Sequence, residues 1–321
     1  MALPLLMIAI GLIILVWSAD IFVEGAAAVA RYAGMSGLLI GMLVIGFGTS
    51  APEISVSALS AIQGNPGLAL GNAYGSNISN IALILGCVAM INPIRVHSQI
   101  IRKELPLLLL VCLFVMIQLY DGHLSRFDAL LELGLFAVIM TWMISQDAKQ
   151  DRLAQEVDDE LPENKMSLNQ ALIWLIAGLV LLMISSRMLV WGAVSIAQTL
   201  GVSDLVIGLT VVAIGTSLPE LASSITAARK GEHDLALGNI IGSNLFNTLT
   251  VVGLAGLIHP MDIPAEILHR DWPVMTVLTI ALLALGYSRS NNGQISRLEG
   301  LGLLSLYAAY TLYLINTVVS T

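Results

Sequence analysis

Charge is scarce in this sequence. Only 11% of its 321 residues are Asp, Glu, Lys or Arg, against about 25% in an ordinary soluble domain. That shortage excludes a large soluble helical core, whose helices would need polar outer faces that these segments lack. Cysteine is scarcer still: Cys87 and Cys112 lie in apolar stretches, offer neither a disulfide framework nor a metal site, and read as small buried hydrophobes. No Lys or Arg precedes Arg31, so the first apolar segment lacks the positive flank of a signal peptide and reads as a retained helix. His97, His123, His233, His259 and His269 fall at loops or helix ends, no two of them at metal-ligand spacing. There is no HExxH zinc motif, no pair of catalytic aspartates and no nucleophile beside a base, so nothing here equips a membrane-embedded enzyme.

What the chain has in quantity is apolar residues, 57% of the total. Runs long enough to cross a bilayer, about 20 residues each, follow one another from Leu3 to Ile315. They predict an all-α membrane protein of ten transmembrane helices, at 3–29, 36–62, 67–91, 104–120, 126–145, 168–197, 203–228, 234–258, 272–287 and 296–316. Ten spans leave short loops and no room for a soluble catalytic domain. Much of the formal charge of −8 is local, because Asp147, Asp151, Glu156, Asp158, Asp159, Glu160 and Glu163 crowd one stretch against Lys149 and Arg152. That stretch, 146–166, reads as a solvated acidic cytoplasmic linker. With the N-terminus outside, the inner loops collect eleven basic residues and the outer loops only Arg126 and Arg270. The bias places both termini on the non-cytoplasmic side.

Shifted by 167 residues, the sequence lies on itself. "SGLLIGMLVIGFGTSAPE" (36–53) meets "SDLVIGLTVVAIGTSLPE" (203–220) with ten identities in eighteen. "LALGNAYGSNISNIALILG" (68–86) meets "LALGNIIGSNLFNTLTVVG" (235–253) with ten in nineteen. Shared hydrophobicity explains matched Leu and Val, but not Gly, Thr, Ser, Pro, Glu and Asn in step. The halves are 1–145, with its motif at 46–86, and 167–321, with its motif at 213–253. Five helices per half is an odd number, so the second half enters the membrane upside down. Inverted-topology repeats of this kind are the architecture of many secondary transporters, with sites at the midplane between repeats.

The motifs place an acid where an acid is costly. Glu53 and Glu220 fall deep within helices 2 and 7, and a charged side chain there costs upward of about 2.5 kcal/mol. A cation between two converging carboxylates removes both that cost and their mutual repulsion. Pro52 and Pro219 cannot donate to the carbonyls of Gly48 and Gly215, so each helix should kink or break there. The freed carbonyls near Thr49 and Thr216, with the hydroxyls of Ser50 and Ser217, would line the interior. Asn72, Ser76 and Asn80 are spaced by four, as are Asn239, Ser243 and Asn247, which puts each trio on one helix face. Asn80 and Asn247 read as ligands or ligand supports, whereas Asn77 and Asn244 face elsewhere and suit hydrogen bonds between helices. Gly71, Gly75, Gly238 and Gly242 should admit close neighbours. All of these donors are oxygens, the hard set that suits calcium and is acceptable to sodium. One divalent ion, monovalent ions or protons could each balance two carboxylates, and mutually exclusive occupancy is a basis for exchange.

These paired "GTSxPE" and "GNxxGSNxxN" motifs resemble the alpha repeats of the sodium/calcium exchanger family, within the cation/calcium exchanger superfamily, and most of all its small prokaryotic members. The resemblance covers essentially the whole chain. It implies a calcium/sodium antiporter with no resident cofactor, working by alternating access as a single-chain transport unit, with a calcium/proton or potassium-involving exchanger as the alternative. It further implies that Glu53 and Glu220 coordinate calcium together with the backbone carbonyls of Thr49 and Thr216. Ser50, Ser76, Ser217, Ser243 and the threonines would help form sodium sites, and Asn80 and Asn247 would stand in the central layer. Well-known members carry aspartate where this chain has Asn247, so this site holds one acid fewer and the counter-ion stays open.

Three further expectations concern structure. Asp20 and Arg187, related by the same shift, should pair between helices 1 and 6. Glu104 and Asp271 should cap the helices they precede. Helices 1 and 6, long and glycine-containing, should move across the rest.

Overall fold

The computed structural model describes residues 2–96, 100–155, 166–200, 213–287 and 293–319. Helix α1 (Ala2–Ala33) is followed by α2 (Gly37–Thr49) and α3 (Ala51–Ile62), which meet at a 47° bend. Then come α4 (Pro66–Ile91), α5 (Arg102–Asp121), α6 (Arg126–Gln155) and α7 (Leu168–Thr199). The second half continues with α8 (Ala213–Thr216) and α9 (Leu218–Arg229), α10 (His233–Ile258), α11 (Trp272–Tyr287) and α12 (Arg297–Val319). Among the described residues eight helices are long and apolar enough to cross a membrane, or nine with α2 and α3 taken as one bent span. This is an integral membrane protein. The expected helix 203–228 is described only from residue 213, and its first half lies outside the described residues.

Most boundaries match the hydrophobic runs, and the departures have local causes. Helix α6 does not stop at residue 145 but continues to Gln155, because 146–155 contains neither Gly nor Pro and is rich in Gln, Lys, Arg and Ala. The periodicity also gave no warning of π-helical turns. They occur at Gly41–Gly46 within α2, at Ser79–Ile84 within α4 and at Phe246–Val251 within α10. Two more, Ile100–Glu104 and Ile267–Asp271, lead into α5 and α11. Such turns are rare and gather at functional sites.

Short strands, absent from the expected all-helical picture, join the halves. Strand β1 (Ile94–Arg95) pairs antiparallel with β4 (Gln294–Ile295), and β2 (His123–Leu124) with β3 (Met261–Asp262). Side chains reinforce the second ladder, where His123 Nδ1 lies 2.9 Å from Asp262 Oδ1.

Helices α4 and α10 form the centre, and every residue from Leu235 to Leu245 is buried. Helix α1 lies along α7 outside this core, held close by glycine. A Cβ on Gly178 would stand 2.7 Å from the Phe22 Cα, and one on Gly25 2.5 Å from the Leu175 nitrogen. In the core Gly242 admits the backbone of Met42 in the same way, and Gly238 that of Leu38. A Cβ added at Gly71 or Gly75 would meet no neighbouring element within 4 Å among the described residues.

Two expected polar contacts are replaced. Asp20 does not pair with Arg187: its carboxylate lies 2.7 Å from Lys230 Nζ, which also reaches Glu24 at 2.6 Å. The C-terminal end of α9 comes closer to α1 than Arg187 does, and Arg187 points to the exposed side of α7. Asp271 does not act as a cap either. Arg270 Nε donates to its Oδ1 at 2.6 Å and the Tyr310 hydroxyl donates to the same oxygen at 2.7 Å. Glu104 makes no cap hydrogen bond to α5.

The α1–α7 seam gives a direct test. Gly178→Leu should destabilise the protein by about 1–3 kcal/mol through overpacking, read as a lower unfolding temperature in detergent. Gly134→Ala, where nothing stands within 4 Å of the added carbon, should leave that temperature unchanged or raise it.

Candidate cation-binding site

Both "GTSxPE" segments break at the serine. Ser50 has φ −80°, ψ 4° and Ser217 has φ −87°, ψ 6°, the sparsely populated bridge between helix and strand. Pro52 and Pro219 stand in the first turn of α3 and α9, where a missing N–H loses no helical bond. Proline therefore starts the second segment as well as ending the first. Glu53 and Glu220 come next, in those same first turns, where the amide ends of the helices favour negative charge.

The two acids are 1% and 2% exposed. Ser50 donates its hydroxyl to Glu220 Oε1 at 3.4 Å, and Thr49 also faces that carboxylate. Glu53 is faced by Thr216 from the second half and by Ser76 from its own. The carboxylates themselves are close enough to interact electrostatically. Each acid is thus met by hydroxyls carried on the opposite half. The hydroxyls do not saturate them: neither oxygen of Glu53, nor Oε2 of Glu220, nor the Ser217 hydroxyl completes a hydrogen bond. Two buried like charges with open oxygens call for a countercharge. The donors are carboxylate, hydroxyl and backbone oxygen, and no group of three or more His, Cys, Asp or Glu side chains gathers anywhere among the described residues. That set fits a hard cation rather than a transition metal.

The asparagines divide into two kinds. Asn80 donates Nδ2 to Asn244 Oδ1 at 3.0 Å and keeps its own Oδ1 unpaired, while neither amide atom of Asn247 has a partner. Both side chains are 1% exposed, and no hydrogen bond ties either of them to Glu53 or Glu220. Ser243 donates to the Gly46 carbonyl at 3.4 Å. Asn77 donates to Thr248 at 2.8 Å, so Asn77 and Asn244 do bond between helices as their face suggested.

Asn72 and Asn239 do something the spacing did not reveal. Asn72 Nδ2 donates to the backbone carbonyl of Glu53 at 3.0 Å and to Ser57 at 2.9 Å. Asn239 Nδ2 likewise donates to the Glu220 carbonyl at 3.2 Å, and to Ser223 and Ser224 at 3.1 and 2.8 Å. Thr49 closes the circuit from the first half by donating to Asn239 Oδ1 at 3.1 Å. These amides brace the backbone that carries each acid. The available signal was a serine four residues after each glutamate, at Ser57 and Ser224, on the acid's own helix face.

Comparison with known proteins now decides the family. The family model for sodium/calcium exchanger protein matches residues 3–145 and 170–316. The chain belongs to the sodium/calcium exchanger family. Among similar sequences, the putative antiporter CaxA of Alkalimonas amylolytica is 47% identical over 96% of this chain and 97% of its own. The inner membrane protein YrbG of Escherichia coli K12 is 43% identical over 90% of each chain. Among solved structures, that of the sodium-calcium exchanger NCX_Mj soaked with Na+ and Sr2+ superposes with a TM-score of 0.83 at 33% identity, covering 96% of this chain and 97% of that one. The family is one of transporters, and NCX_Mj is a small prokaryotic member with the same fold.

If the two amides are braces, their loss should cost stability in proportion to their bonds. Asn239→Ala strands three acceptors and Asn72→Ala two. At about 1–3 kcal/mol for a buried group left unpaired, both should unfold earlier on heating. Asn239→Ala should show the larger drop.

Proposed function

We propose that this protein is a secondary active antiporter that exchanges calcium for sodium by alternating access, with its ions bound between two inverted five-helix repeats. The observation that carries this reading is the pair of fully buried carboxylates, Glu53 and Glu220, drawn from different halves and left with open oxygens. Calcium balances both charges at once and is coordinated by these acids with the backbone carbonyls of Thr49 and Thr216. Sodium ions share the same charge through Ser50, Ser217, Ser76, Ser243 and the threonine hydroxyls, and Asn80 and Asn247 stand in the central layer. Because both kinds of ion use one pair of acids, each excludes the other. The pairing of α1 with α7, packed on the core rather than threaded through it, supports a sliding movement that opens the site to each face in turn. Ten spans follow from the apolar runs of the sequence, and both termini lie on the non-cytoplasmic side of an inner membrane, as eleven basic residues on the inner loops against two on the outer indicate. The transport unit is one chain, and no resident cofactor takes part.

Neutral Asn at both central positions keeps a second counter-ion in view, since one carboxylate fewer leaves less charge to hold several sodium ions. Radiolabelled calcium uptake into proteoliposomes separates the readings. An outward sodium gradient should drive uptake, and a proton gradient alone should not; the reverse result selects calcium/proton exchange. Glu53→Gln and Glu220→Gln each remove a charged ligand worth about 1.5–3 kcal/mol, so apparent calcium affinity should fall about tenfold or more. Uptake unchanged by both substitutions would overturn the assignment of the site.

A further inference from the structure

A third acid is buried in the protein, away from the cation site and unused by it. Glu132 lies on α6 with no exposed surface, and neither carboxylate oxygen has a hydrogen-bond partner. Facing it from α4 is Tyr74, also fully buried, whose hydroxyl is equally unpaired. Two orphaned polar groups, one of them an acid, near enough to interact electrostatically though not hydrogen-bonded, mark a functional position by default inside a membrane protein.

The halves of the molecule supply an internal control. Strands β2 and β4 precede α6 and α12, and each helix opens with a reciprocal cap. Ser125 exchanges bonds with Asp128, and Ser296 exchanges them with Glu299. In that register Glu132 corresponds to Leu303, 3% exposed. By the 167-residue shift Tyr74 corresponds to Ile241, which has no exposed surface. The second half fills these two places with a pair of aliphatic side chains, so the packing there needs no polar atom. The first half has spent an acid and a phenol on a position that leucine and isoleucine can fill.

The surroundings determine what the acid can hold. Calcium takes about six to eight oxygen ligands, and this place offers one carboxylate and one phenol. Helix α10, which packs along α6, presents residues 246–258 with no titratable side chain among them. The titratable groups nearby are Asp128 on α6 itself, Tyr74 on α4, and Cys112 on α5, which faces Tyr74. A proton neutralises a single carboxylate without a coordination shell. Asp128 lies one turn nearer the start of α6, on the same face and only half-buried, and it offers the step from water to Glu132.

We propose that Glu132, facing Tyr74 and reached through Asp128, is a proton-binding site separate from the two glutamates of the cation site. The carboxylate takes one proton from water by way of Asp128, and the resulting neutral carboxyl turns its O–H to the Tyr74 hydroxyl oxygen. The site stands on α6 and α4, outside the α1–α7 pair, and so holds its proton on the scaffold rather than on the moving helices.

Infrared spectra of the full-length protein in liposomes test this through a pH titration. The carbonyl stretch of a protonated carboxyl is read in a Glu53→Gln/Glu220→Gln background, which removes the cation-site acids from the signal. The band should be present at neutral pH in that background and lost on adding Glu132→Gln or Glu132→Leu, the latter copying the other half. Tyr74→Phe should keep the band and move it to higher wavenumber, as the hydrogen bond to the phenol is lost. A band that survives Glu132→Gln overturns the proposal. Should neither Glu132 variant be recovered folded, a band unmoved by Tyr74→Phe overturns it equally.

Discussion

A carboxylate removed from water has to be given something in return, and the centre of this protein is arranged around that requirement. Glu53 and Glu220 cannot be stabilised by apolar helices, so the helices carrying them are interrupted. Each interruption turns a helix start toward its own acid and brings hydroxyls from the opposite half to bear on it. The cross-supply matters because neither half alone provides for its glutamate. Asn72 and Asn239 complete the arrangement from behind by fixing the carbonyl of each acidic residue, and so hold the carboxylates at a set depth while their oxygens stay open. A fully saturated pair of acids would be stable without an ion and useless for carrying one. Open oxygens leave the pair dependent on a countercharge.

Much of this was legible in the sequence, for an identifiable reason. Polar residues in a membrane segment stand out against a uniform background, so Glu53, Glu220, Thr49, Ser50 and their partners announced themselves by position alone. Repetition after 167 residues then separated meaningful polar residues from incidental ones. Proline at 52 and 219 located both breaks to within two residues, because the missing amide acts locally. The same logic failed where the relevant distance is not along the chain. Asp20 was matched with Arg187 by symmetry, yet Lys230 at the end of α9 is the nearer cation. The π-helical turns leave no mark in a pattern of apolar residues, since one extra residue per turn shifts the face without changing composition. The two-residue strands are too short for any alternation to register. Glu132 carries no such mark, because the 167-residue shift sets it against Glu299, an acid at a helix start, and only the caps seen in the structure set it against Leu303.

That last omission shows how the two halves differ while sharing one fold. Residues that meet at the centre from the two halves are duplicated almost unchanged, as the paired glutamates, serines and bracing asparagines are. Elsewhere the copies have drifted. Asp271 is engaged by Arg270 and Tyr310, whereas its counterpart Glu104 belongs to a half that has Ile139 where, in the register of the Ser125 and Ser296 caps, the second half has Tyr310. Symmetry is kept where residues of both halves gather at the buried carboxylates and relaxed where each half touches only its own surroundings. Departures from it therefore point to roles belonging to one half.

The β1–β4 and β2–β3 ladders carry a consequence for how the molecule is joined. Each takes one strand from either half, and the seam between α1 and α7 does the same on the outside of the core. The halves thereby meet at these places as well as in the core, where Gly238 and Gly242 of α10 pack on α2. The halves are thus held to one another by tertiary contacts as well as by the chain that links them.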